Sequence, residues 1–200
     1  MSALTGPAIE EQIQLGNIEV TPYEPALINP SSLDLRLGHQ VIVYSRFANI
    51  NEDGVTRLIP YLHTRAIIDT KAPEPTIERH VFDSETGFVL EPGVLYLMHT
   101  QEAVRARKHR PEVHGKSSIG RLGIFVHVTA GLGEPGFSGQ YTLEVISTYP
   151  VRVYAGMRFC QISFETLEGD VVDYQQHGTY KAGEFSYGPV PSRIWKQFLK

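Results

Sequence analysis

Two hundred residues, 42% hydrophobic and 20% charged, suffice for one domain with a full core and no help from disulfides or metals. A formal net charge of −4 argues against a general nucleic-acid binder, and no apolar run approaches the roughly 18 residues a membrane span needs. Cys160 stands alone and no basic-then-apolar leader opens the chain, so a reducing cytoplasm is the expected setting.

The chain opens on Thr5-Gly-Pro7, then Ala8, Ile9, Ile13 and Leu15, closed by Gly16. That spacing predicts one short amphipathic helix, capped by Thr5, started by Pro7 and ended at Gly16. Beyond it the pattern is strand and turn. Ser32 to Leu37 alternates polar and apolar, Gln40 to Tyr44 is β-branched and aromatic, and apolar runs follow at 66–69, 87–90 and 94–98. Residues 124–130 predict a strand with Ile124, Val126 and Val128 on one face and Phe125, His127 and Thr129 on the other. In 140–145, Leu143 and Val145 oppose Gln140, Thr142 and Glu144; further on, Cys160, Ile162 and Phe164 oppose Gln161, Ser163 and Glu165. Many short strands, with 18 glycines and 13 prolines between them, predict a mainly-β barrel or jelly-roll-like sandwich. The stretch from about 175 onward lacks periodicity and reads as a closing arm.

Several motifs compete for the chemistry. Gly115-Lys116-Ser117 resembles the end of a P-loop, but Arg110 stands where the first glycine is required, which excludes it. The basic run Arg105-Ala-Arg107-Lys108-His109-Arg110 is by itself a solvated loop. The Gly115-Lys116-Ser117-Ser118 that follows offers a cation, two hydroxyls and turn N–H groups, which phosphate oxygens favour. Among eight histidines, His109 and His114 lack helical metal-ligand spacing, and one cysteine cannot supply the zinc deaminase signature. His127 on a strand's polar face is expected to be a hydrogen-bonded structural residue. Glu144 has two readings, a carboxylate on a wet sheet face or a general base. The segment before it, Gly131-Leu-Gly133-Glu134-Pro-Gly136-Phe-Ser-Gly139, has four glycines in nine positions and lets backbone approach a flat ligand.

Five stretches, in order, resemble the motifs of the dCTP deaminase family: 29–38 (NPSSLDLRLG), 115–123 (GKSSIGRLG), 127–144 (from HVTAG through PGFSG to LE), 156–165 (GMRFCQISFE) and 188–193 (GPVPSR). The resemblance implies a distorted jelly-roll-like β-barrel of the dUTPase type, assembled as a homotrimer, with 1–200 as a single domain whose arm covers the site. It implies hydrolytic deamination of dCTP, with Glu144 activating water. Arg121 and Ser117 would come from a neighbouring subunit, the Ala130 carbonyl would hold water or the leaving amine, and His127 would support the site from below. Lys116, Ser117 and Ser118 match the phosphate stretch, while Arg121, Thr129, Gln161, Tyr174 and Lys181 complete the nucleotide-binding set. Mg²⁺ would arrive on the triphosphate, without zinc, and feedback inhibition by dTTP is a family expectation.

The chain departs from the family at two places. Gly133-Glu134 replaces the usual Ile-Asp, and Glu184-Phe-Ser-Tyr187 replaces the glutamines before Gly188. Ala130-Gly131 is similar to the small loop of bifunctional enzymes, which release dUMP and pyrophosphate. Against that, Glu134 is one methylene too long and Gly133 loosens its backbone, so dUTP is the expected main product. The alternatives are the bifunctional enzyme and a non-catalytic trimeric nucleotide-binding regulator.

Overall fold

The structure is a computed structural model that describes residues 2–44, 47–52, 55–60, 70–71, 77–181 and 188–199. Helix α1 (Gly6–Gln14) forms where its periodicity predicts, with Thr5 at the N-cap position and Gly16 leaving at φ +71°. Thr5 supplies the backbone turn only, because its hydroxyl makes no capping hydrogen bond. Ile9 is the fully buried residue that ties the helix to the core.

Thirteen strands follow among the described residues. They are β1 (Ile18–Thr21), β2 (Leu33–Arg36), β3 (Gln40–Tyr44), β4 (Phe47–Glu52), β5 (Val55–Pro60), β6 (Ile77–Val81) and β7 (Phe88–Leu90). The second half holds β8 (Tyr96–Ala106), β9 (His109–Gly115), β10 (Ile124–Phe125), β11 (Ser138–Ser147), β12 (Val151–Val153) and β13 (Arg158–Thr166). Short helices α2 (Ser117–Gly120) and α3 (Tyr174–His177) interrupt them, and a 3₁₀ turn spans Ile194–Phe198. A six-stranded antiparallel sheet runs β10-β11-β8-β3-β6, with β1 also on β8; β2-β13-β9 form a second sheet, and β12-β7 and β4-β5 are two-stranded. One core takes Val41, Met98, Leu143 and Val145 from the first sheet and Leu35, Val113, Phe159 and Phe164 from the second. The fold is mainly β, as the many short strands predict. No helix among the described residues is long and apolar enough to cross a membrane.

Three expectations change. The strand predicted at 124–130 ends after Phe125: Val126 is buried, but Val128 is exposed and turns its N–H toward Glu144. The basic run at 105–110 is not a solvated loop; β8 and β9 run through it as a hairpin, leaving only Arg107 and Lys108 between them. Its charges are answered from elsewhere, Arg105 by Asp173 at 3.3 Å, Arg107 by Glu19 and Arg110 by Glu165. The apolar run at 66–69 and the Glu184–Tyr187 segment lie outside the described residues.

Candidate active site

The loop between β10 and β11 shapes a cavity of about 830 Å³ against β8, β11 and the C-terminal arm. It is less loose than its glycines suggest. Gly131 O accepts the Val113 N–H at 2.7 Å, and the Gly133 N–H donates to Pro111 O at 2.8 Å, so the loop runs alongside β9. Both glycines answer steric needs. A Cβ at 131 would stand 2.7 Å from Val113 O and 2.9 Å from His127 Nε2; one at 133 would stand 2.8 Å from the Tyr141 hydroxyl.

Strand β11 carries Glu144 opposite Leu97 of β8, with its neighbours Leu143 and Val145 buried. Alternation therefore turns Glu144 and Thr142 to the cavity. Glu144 Oε2 accepts the Val128 N–H at 3.2 Å, which orients the carboxylate. The same cavity holds Thr129, Ala130, Glu134, Tyr174 and Lys181. The arm is stitched over it by backbone donors: Tyr180 N–H to the Tyr174 hydroxyl at 3.0 Å, Val190 N–H to Thr142 Oγ1 at 3.1 Å, and Arg193 N–H to the Tyr180 hydroxyl at 3.1 Å. Lys181 Nζ donates to Gln176 O at 3.1 Å.

Six of the predicted residues stand elsewhere. Ser117, Ser118 and Arg121 sit on and after α2, exposed and off the cavity of their own chain. Lys116 is paired with buried Asp34, which also takes an Asn29 amide hydrogen bond at 2.7 Å and faces Arg158 at 3.5 Å. Gln161 is a clasp: it donates to Gly115 O at 3.0 Å and accepts from Ser32 Oγ at 2.9 Å. His127 is half-buried beneath Gly131, and its Nδ1 is buried without a hydrogen-bond partner, unlike the satisfied histidine expected.

The cavity also holds residues that pattern alone did not single out, chief among them Phe137, Tyr141 and Tyr180. The Phe137 ring lies 5.0 Å from Tyr141 and 5.8 Å from Tyr174, an aromatic group at one wall. Phe137 stood in plain sight in the glycine-rich segment, between Gly136 and Gly139. Tyr141 is hidden by a β-bulge between Gln140 and Thr142, which shifts the pairing with β8; its N–H donates to Thr100 Oγ1 at 2.9 Å instead of to the ladder. Burial pushes the Tyr141 phenol above its ordinary value.

Comparison with known proteins bears on this arrangement. A family model described as dCTP deaminase-like matches residues 3–167. A Leptospira biflexa protein named "dCTP deaminase, dUMP-forming" is 40% identical over 197 residues, covering 98% of each chain. A Cytophaga hutchinsonii protein of the same name is 36% identical over 199 residues, covering 98% of this chain and 99% of its own. Among solved structures, the 2'-deoxycytidine 5'-triphosphate deaminase of Agrobacterium tumefaciens superposes over 90% of this chain with a TM-score of 0.59 at 23% identity. The present chain spans 54% of that chain's length, and the likeness speaks to the fold.

Proposed function

The chain belongs to the dCTP deaminase-like family, and from that premise we propose that it deaminates dCTP and goes on to release dUMP and pyrophosphate. One observation carries the reading: two carboxylates, Glu144 and Glu134, line a single cavity. Water is a weak nucleophile, so a carboxylate must take its proton as oxygen adds to C4 of cytosine. Glu144, oriented by the Val128 N–H, fills that role and returns the proton as the C4–N bond breaks and ammonia leaves. The balance is dCTP plus water to dUTP plus ammonia. Glu134 would then aim a second water at the α-phosphorus, with pyrophosphate as the leaving group.

The second step reverses the weight given to dUTP from the sequence. That weight rested on the extra methylene of Glu134, a loose backbone at Gly133 and the altered arm; the second ground falls, because the Gly133 N–H is bonded to Pro111 O and the space beside its Cα is filled by the Tyr141 hydroxyl. A held backbone removes one objection to Glu134, and the names of the relatives point the same way.

The cationic part of the site is proposed to come from a neighbour in a homotrimer. Arg121 and Ser117 are exposed and lie off their own chain's cavity, and the flanking Leu122 and Phe125 are exposed apolar residues of the kind that seek a partner surface. Mg²⁺ is proposed to arrive on the triphosphate, whose oxygens suit a hard cation and whose charge it would neutralise.

Chromatography of purified protein with dCTP and Mg²⁺, with ³¹P NMR alongside, tests the reading. Pyrophosphate should rise in step with ammonia. In Glu134→Gln the pyrophosphate-to-ammonia ratio should fall by about 100-fold. Accumulation of dUTP by the unaltered protein would refute the second step, and removal of bound zinc should leave turnover intact.

A further inference from the structure

Gly133 has a close neighbour across the cavity wall. Gly133 is buried and its φ lies outside the left-handed region, so space rather than backbone freedom demands a glycine. The space is taken by Tyr141: a Cβ at 133 would stand 2.8 Å from its hydroxyl and 2.8 Å from Pro111 Cγ. Tyr141 also touches the far end of the same turn, through the Phe137 ring at 5.0 Å. Between those two contacts lies Glu134, whose carbonyl accepts the Phe137 N–H at 3.1 Å to close the turn. The Gly136 N–H is bonded to Ala106 O at 2.6 Å, which fixes the turn's base to β8. Tyr141 therefore abuts both ends of the segment that carries the second carboxylate.

We propose that Tyr141 is a positioning residue that, by filling the space beside Gly133 and bracing Phe137, sets the Glu134 carboxylate and thereby decides whether the nucleotide leaves as dUMP or dUTP. This rests on the reading of Glu134 given above. Glu144 sits on the strand beyond the bulge, with its own backbone pairing to Leu97 and its own orienting bond from Val128, so it does not depend on the turn in the same way. A shift of about 1 Å at a group that acts by geometry costs on the order of 100-fold, which is the sensitivity the arrangement exploits.

The test compares Tyr141→Phe, Tyr141→Leu, Gly133→Ala and the double variant Gly133→Ala/Tyr141→Phe with the unaltered protein and Glu134→Gln. The readout is the ratio of pyrophosphate to ammonia from dCTP. Loss of folded protein lowers both products together, so a merely structural role leaves this ratio where it was. The ratio should fall about threefold in Tyr141→Phe, about tenfold or more in Tyr141→Leu and Gly133→Ala, and recover only in part in the double variant, where the added methyl meets no hydroxyl but still meets Pro111 Cγ. An unchanged ratio in both Tyr141 variants overturns the proposal. Tyr141→Phe keeps the ring in place, so the proposal remains exposed to refutation even if Gly133→Ala does not fold. If the unaltered protein releases no pyrophosphate, the bifunctional reading fails first and takes this inference with it; if it does and Glu134→Gln does not, only the Tyr141 results bear on the brace.

Discussion

Two stretches of this chain carry polar groups suited to a nucleotide, and they are built differently. The glycine-rich loop and β11 form a concave wall, held on one side by β9 and on the other by the arm, and Glu144 and Glu134 both reach the cavity from it. The Lys116–Arg121 turn is convex. Its lysine is spent on buried Asp34, and its hydroxyls and arginine face outward. A carboxylate can be aimed by its own strand, whereas a cation supplied by a neighbouring chain, as proposed above, has to stand outside its own chain's cavity. The comparison teaches that the two halves answer different demands, the first to orient and the second to stay available.

The largest effect should come from the concave half. Glu144→Gln should lower ammonia release by roughly 10²–10⁴-fold while the fold is kept, because amide and carboxylate occupy similar space. Single-turnover assays with circular dichroism as the folding control check it, and near-normal turnover would dissolve the distinction between the halves. Next comes the anchor beneath the convex half. Lys116→Met leaves the Asp34 carboxylate, only 1% exposed, with Arg158 at 3.5 Å as its remaining ion pair, and should cost about 3 kcal/mol in urea unfolding. A stability loss this large would mark Lys116 as a structural post; loss of nucleotide affinity alone would mark it as a phosphate ligand.

The smallest effect concerns pH. His99 lies flat against Gly38 and uses both ring nitrogens in its neutral form, donating from Nδ1 to Thr100 O at 2.9 Å and accepting the Gln40 N–H at Nε2 at 3.2 Å. Burial, with His39 nearby, lowers its pKa from the ordinary 6.5. A histidine depressed on folding binds protons more readily when unfolded. Its contribution is therefore complete above about 6.5 and is lost as pH falls toward the lowered value. Burial depresses His109 as well, with the same sign. Urea midpoints should drop between pH 7 and pH 5, and less so in His99→Gln; a flat profile would contradict the assignment.

Strand alternation made much of the concave half legible. Leu143 and Val145 are buried and Glu144 is turned to the cavity because a period of two leaves no other choice. The same logic places Cys160, Ile162 and Phe164 in the core. What alternation cannot show is an interruption of itself. The bulge at Tyr141 and the end of β10 after Phe125 arise from contacts with Thr100 and Glu144, partners set by the fold rather than by neighbours in sequence. The basic run at 105–110 was opaque for a related reason: Glu19, Asp173 and Glu165, which answer its charges, lie on β1, next to α3 and on β13. The expectation that Arg121 serves a neighbouring subunit came from family resemblance alone, since no local pattern distinguishes an arginine that meets a partner from one that merely faces water.

The two halves of one working site are proposed to belong to different chains, and co-refolding separates that arrangement from a site within one chain. Arg121→Ala and Glu144→Gln proteins, each inactive alone, are unfolded together in equal amounts and refolded, and the mixed trimers are isolated by differential tags. In a cyclic trimer that contains both variants, an intact Arg121 meets an intact Glu144 at roughly one site in three. Ammonia release should therefore return to roughly a third of the unaltered rate in the isolated mixed trimers. Verified mixed trimers that remain inactive would show that both halves act within a single chain, and the account would fail.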